Sequence, residues 1–193
     1  MQNRVYGPTA KAFHWLTMAL LTVQYAIGWI MPNPGRQKLP ESLLDLHFSF
    51  GAVVLALVLA RSIWRLFHPV PPEPGLGRWQ SLAAMALHLS LYALIVVTSL
   101  SGWLYVSARG WSVTVFGALP LPALVAEGSK FGHAIGETHQ VLIWVLLTAI
   151  GLHVLAALVH LLVYRDRVMQ RMLPRAATTG RLTGEAGSIR VRS

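Results

Sequence analysis

The chain has no cysteine, which excludes disulfides, thiolate metal sites and the C-x-x-C-H attachment of a c-type haem. Any prosthetic group must therefore be held non-covalently. Charge is scarce too: only 12% of the 193 residues are Asp, Glu, Lys or Arg, far below the roughly 25% of a soluble domain. Carboxylates are the scarcest of these, seven against sixteen basic residues. The long apolar stretches hold almost none, with Asp45 and Glu137 at their margins, which argues against a carboxylate-lined path for metal ions or protons. What the chain has in quantity is apolar surface, at 54% hydrophobic residues, and the bilayer is its natural solvent. The net charge of +9 does not imply nucleic acid, because the basic residues sit between and after apolar stretches with no aromatic-basic face to read bases. Anionic lipid headgroups are the expected counter-charge.

Apolar stretches at about 12–31, 42–67, 81–106 and 137–164 predict four helices, each near or above the ~20 residues that cross a bilayer core. The implied fold is an all-α integral membrane four-helix bundle over residues 1–164. The first stretch ends in Pro32-Asn33-Pro34-Gly35-Arg36; its length and the absence of a small-residue cleavage pattern separate it from a secretory signal. The second is stopped by His68-Pro69-Val70-Pro71-Pro72, which cannot continue a helix. A connector over 107–136 carries Trp111, Phe116, Pro120 and Pro122 and has room for a short interfacial helix, although no clear period runs through it. Residues 165–193 are expected to form a flexible basic tail. Arg36, Lys38, Arg109 and Lys130 lie on one side of this arrangement and the other twelve Lys and Arg residues on the opposite side. The positive-inside rule then places both termini in the cytoplasm of a multi-pass inner-membrane protein. Trp15, Trp29, Trp64, Trp103 and Trp144 lie mostly near helix ends, as an aromatic belt does.

Histidines carry the chemistry, because ionisable groups are costly inside a bilayer and face the bundle interior with a task. His14 lies near the cytoplasmic start of helix one, His47 near the outer start of helix two, and His139 at the outer start of helix four, fourteen residues before His153. Fourteen residues at 100° each return almost to the same face with a rise of about 21 Å, so His139 and His153 are two stations on one stripe. His47 matches the depth of His139, and His14 that of His153. A single membrane histidine can be a simple interhelical hydrogen-bonding group. Four at two matched depths instead suggest the pairs His14/His153 and His47/His139, each able to fill both axial positions of a haem iron. Gly51, Gly136 and Gly151 lie near these residues, where a flat macrocycle needs close backbone approach.

The remaining histidines are read differently. His160, seven residues beyond His153 and about 10 Å further along the axis, is a quinone hydrogen-bond donor, a substitute ligand for His14, or an interface residue; the quinone role is preferred. His88 has no depth-matched partner and reads as a packing or propionate-contacting residue, while His68 and His133 fall in predicted loops. Arg61 and Arg65 could pair with propionates or a quinone carbonyl, or simply mark the cytoplasmic end of a helix.

The segments Phe13-His14-Trp15, Leu46-His47-Phe48-Ser49-Phe50-Gly51, Thr138-His139-Gln140 and Gly151-Leu152-His153 through Val159-His160 resemble the motifs of the bacterial cytochrome b561 family. The resemblance implies two b haems, held by histidines like His14 and His153 and by histidines like His47 and His139. It also implies electron transfer from a small periplasmic donor such as superoxide to ubiquinone or a related quinone, as a superoxide:quinone oxidoreductase, with His160 like the quinone-side histidine. A haem-b anchor subunit serving a dehydrogenase or hydrogenase partner is the alternative. A haem-free histidine bundle moving metal or protons is disfavoured by the missing carboxylates. Arg36, Lys38, Arg109 and Lys130 either attract a superoxide anion or are ordinary solvated surface.

Overall fold

A computed structural model describes residues 6–31, 42–69, 77–166 and 168–173; Arg36, Lys38, most of the turn after helix two and the tail beyond 173 lie outside them. Among the described residues there are four long helices: α1 (Pro8–Ile30), α2 (Ser42–Phe67), α3 (Arg78–Ala108) and α4 (Lys130–Val159). Three of them, α2, α3 and α4 with its continuation to Tyr164, are long and apolar enough to cross a membrane. α1 has 23 residues but is interrupted by His14, Thr17, Thr22, Gln24 and Tyr25, and these lower its mean hydropathy.

Local chemistry moves several boundaries from the positions that apolar periodicity suggests. α1 begins at Pro8, a residue whose fixed φ suits a first helical turn. α3 begins at Arg78 because the Gln80 side chain accepts the Gly77 N–H at 2.8 Å. α4 starts at Lys130 rather than about 137, since Ser129 accepts the Gly132 N–H and caps the open end. His133, expected in a loop, is therefore helical, with its ring edge-on to Tyr105 at 6.1 Å. The connector forms no interfacial helix: β1 (Val113–Val115) and β2 (Leu119–Leu121) pair antiparallel, with Val115 opposite Leu119. Phe116 and Gly117, both in left-handed backbone conformation, make the turn.

The helices alternate in direction. The start of α1 meets the end of α2 at His14 and Arg61, while the Gln24 amide of α1 donates to the His47 carbonyl near the start of α2. Tyr25 of α1 donates its hydroxyl to the Ile143 carbonyl of α4 at 2.7 Å. A small apolar core joins Val54, Val58, Ile95 and Leu146 at mid-bundle. Large apolar residues such as Leu89, Val97, Val141, Leu155 and Leu162 are exposed, while Thr17, Ser49, Thr98, Ser101 and Ser107 are buried. Polar groups inside and apolar groups outside suit a lipid solvent. Three of these hydroxyls bond back to carbonyls of their own helix: Thr17 to Phe13, Ser101 to Thr98, Ser107 to Trp103.

α3 and α4 make the closest pair. Gly132 sits against Ala108 and Gly136 against the Tyr105 ring, so a methyl group at either glycine would overlap its neighbour. Gly136 thus serves helix packing rather than a cofactor. Gly136→Ala should cost about 1–3 kcal/mol as an overpacked contact and lower the thermal midpoint of the purified protein. Gly7→Ala, which meets nothing within 4 Å, should leave it nearly unchanged.

Candidate functional site

The bundle gathers five of its histidines, His14, His47, His88, His139 and His153, at two levels. α4 is continuous from His139 to His153, so the two levels stand about 21 Å apart along it. At one level, the His14 and His153 ring centroids are 6.3 Å apart and the planes are inclined at 69°. Imidazoles that share one iron through bonds of about 2 Å on opposite sides bring their centroids to roughly this distance. His153, not His160, therefore faces His14. The Arg61 guanidinium lies 3.5 Å from His14 Nδ1 through both terminal nitrogens and over the Tyr92 ring at 5.4 Å.

His88 joins this level as a third histidine, its ring edge-on to His153 at 5.3 Å and its side chain bonded to the Ala84 backbone. Sequence spacing gives His88 no partner, because spacing within one helix does not register α3 against α4. Its place on α3, antiparallel to α4, brings it to the His153 level.

At the other level His47 and His139 lie close enough to interact electrostatically. His139 Nδ1 is 3.0 Å from the Thr98 carbonyl and 2.9 Å from Ser101 Oγ. The Ser101 hydroxyl itself donates to that carbonyl at 2.7 Å. A carbonyl only accepts, so Nδ1 carries the proton and Nε2 keeps its lone pair for a metal. His47 Nδ1 is buried without a partner among the described residues, a demand that a further group bound there would meet. Gly28 lies beside His47 and Gly102 beside His139: a Cβ would stand 3.7 Å and 3.2 Å from the respective Cε1 atoms. Among the described glycines these two stand against the His47 and His139 rings. Gly51 faces Gln24, and Gly151 has nothing within 4 Å. No sequence signal separated Gly28 and Gly102 from other helical glycines, because the helix pairing that sets them against the rings is tertiary.

Among the described residues no three His, Asp or Glu side chains converge to form a metal cluster. His14 with His153 and His47 with His139 are the imidazole pairs that the two levels offer to an iron. The family model of prokaryotic cytochrome b561 matches residues 5–175. This chain belongs to that family. The cytochrome is a membrane haem protein, and its paired imidazoles and close glycines fit b haem, the non-covalent type that a cysteine-free chain permits. Cytochrome b561 homolog 2 of Escherichia coli (strain K12) is 30% identical over 175 residues, 90% of this chain and 93% of that protein. A protein named probable superoxide oxidase CybB, from Yersinia pestis, is 28% identical over 174 residues, 90% and 98% of the two chains.

Other predicted positions resolve as follows. His68 stacks on Trp64 at 3.8 Å and is exposed. Arg65 lies over the Tyr6 ring. Arg109 bonds the Tyr105 hydroxyl at 2.8 Å and covers Trp111 at 4.4 Å, while Lys130 opens α4. His160 bonds Asp166 through Nδ1 and Oδ2 at 2.5 Å. Partial burial acts to raise the Asp166 pKa, but hydrogen bonds from Val168 N–H and His160 outweigh it and hold the carboxyl below its usual range.

The hairpin of the cytochrome is anchored by one hydroxyl from α2. Ser49, 1% exposed, accepts the Phe116 N–H at 2.8 Å and faces the Thr114 carbonyl at 3.5 Å. Ser49→Ala should leave that N–H without its partner, at a cost of about 1–3 kcal/mol. Limited proteolysis should then cut within residues 113–121 faster than in the parent protein; equal rates would show that the hydroxyl is not what holds the hairpin.

Proposed function

We propose that this cytochrome is a di-haem electron carrier that oxidises a small periplasmic donor, superoxide, at one end of the bundle and reduces membrane quinone at the other. The observation that carries the reading is the pair of histidine levels about 21 Å apart on one continuous helix, each drawing imidazoles from two different helices. His47 and His139 hold the outer haem and His14 and His153 the inner one. A b haem at each level supplies reversible one-electron chemistry of its iron. The protein fixes the ligands: Thr98 and Ser101 set the His139 tautomer, while Gly28 and Gly102 give the His47 and His139 rings room.

Orientation follows from charge. Among the described residues Lys11, Arg61, Arg65, Arg78, Arg165 and Arg171 lie toward the His14 end, and Arg109 and Lys130 toward the other, which by the positive-inside rule makes the His14 end cytoplasmic. His160 lies on this side, beyond His153 and only partly exposed, where a quinone headgroup enters from the bilayer. Superoxide as donor is supported by likeness to the relative named probable superoxide oxidase. Two superoxide anions give up one electron each and leave as O2, and one quinone takes two electrons and two protons.

Reduced-minus-oxidised spectra of detergent-purified protein, with haem counted per polypeptide, test the assignment. The parent should hold two low-spin b haems. His47→Ala or His139→Ala should remove one and His14→Ala or His153→Ala the other, each leaving a distinguishable residual spectrum. Ser101→Ala should weaken outer haem retention about 10–100-fold, as loss of a ligand-orienting partner does. A parent with fewer than two haems, or unchanged haem content in any histidine variant, would contradict this reading.

A further inference from the structure

The end of α4 carries a carboxylate–histidine pair that belongs to neither histidine level. After Val159 the helix widens into a π-helical turn over His160–Tyr164, the kind of irregularity that recurs at functional sites. Arg165 then adopts left-handed backbone angles, φ 51° and ψ 34°, and the chain doubles back so that Asp166 N–H reaches the His160 carbonyl at 3.2 Å. Both carboxylate oxygens are engaged: Oδ2 with His160 Nδ1 and Oδ1 with the Val168 N–H at 3.0 Å. Among the described residues the other carboxylates are Asp45, Glu127 and Glu137, which belong to the opposite end of the bundle.

Residues 168–173, expected within a flexible tail, are fastened to α1. Trp15 donates its indole N–H to the Met172 carbonyl at 2.8 Å, and Lys11 donates to the Leu173 carbonyl at 2.6 Å. The Trp15 ring in turn stands edge-on to His14 at 5.6 Å. The carboxylate is thereby braced from both sides, through its own helix and through the segment held beside the inner histidine level.

We propose that Asp166 is the positioning residue that makes His160 the proton donor to bound quinone. The inference rests on the quinone site proposed at His160. A carboxylate accepts only, so the proton between the two groups belongs to Nδ1 and Nε2 is the nitrogen left to address the substrate. Reducing one quinone turns two carbonyls into two hydroxyls with two electrons from the donor side and two protons. Cytoplasmic water first protonates Nε2, so that the ring carries both protons; the Nε2 proton then passes to the nearer quinone oxygen and the ring returns to its Nδ1–H form. The second comes from water at the other oxygen. Asp166 stays ionised throughout, holding the ring's orientation and balancing its charge while it carries the extra proton.

The test uses full-length, haem-loaded protein with superoxide as donor and a soluble ubiquinone as acceptor. Asp166→Asn keeps an oxygen for the Val168 N–H but loses the charge. It should lower kcat for quinone reduction about 10–100-fold, the effect of losing a ring-orienting partner, with KM little changed and a larger solvent isotope effect. Haem content and the dithionite-reduced spectrum should not move, and Asp166→Glu should recover most of the rate. Parent-like turnover in Asp166→Asn, alongside slow turnover in His160→Ala, overturns the positioning role while the quinone site stands. Unimpaired turnover in both variants overturns the quinone site and this inference with it. Loss of haem in Asp166→Asn, unrescued by glutamate, overturns the inference in favour of a structural role.

Discussion

A buried imidazole has two nitrogens, and inside a bundle surrounded by lipid neither can be left to water. His139 satisfies one of them with the Thr98 carbonyl, and this fixes what the other can do: it is left as a bare lone pair. His160, at the end of α4 and partly exposed, pairs its Nδ1 with a carboxylate instead. His47 has a nitrogen without a partner among the described residues. The chemistry of each histidine is thus set by its second partner as much as by its depth.

The surroundings follow from this requirement. Helices that must bring ligand pairs together need small residues at their crossings, and Gly132 and Gly136 let α4 approach α3 at Ala108 and Tyr105. That approach puts His139 within reach of Ser101. The hydroxyls of Thr17, Ser101 and Ser107 are buried in the interior but return their hydrogen bonds to their own helices, so they add polarity without adding unmet demands. Apolar side chains are turned outward, where lipid accepts them.

Much of this was legible in the sequence, for particular reasons. Length and hydropathy locate the helices because a bilayer sets a minimum span, and α-helical rise converts the spacing of His139 and His153 into depth. The association of His14 with His153 rather than with His160 depends on which turn of α4 faces α1, and spacing alone left both open. His88 and Ser101 belong to α3, whose rotation about its own axis no periodicity fixed, since its polar residues do not gather on one face. Asp166 was hidden for another reason: a basic, apolar-poor segment reads as tail until one sees the left-handed turn at Arg165 that folds it back. The hairpin was invisible because three-residue strands carry too few positions to show alternation.

Ser49 stands two residues after His47 on α2 and holds the hairpin through the Phe116 N–H. Surface loops ordinarily drift freely in sequence and length, but this one shares a single helical turn with an imidazole of the His47/His139 level. A lengthened or reshaped hairpin would pull on the helix that carries His47, and insertions here should be rarer among natural variants than the solvent-facing position of the loop would suggest.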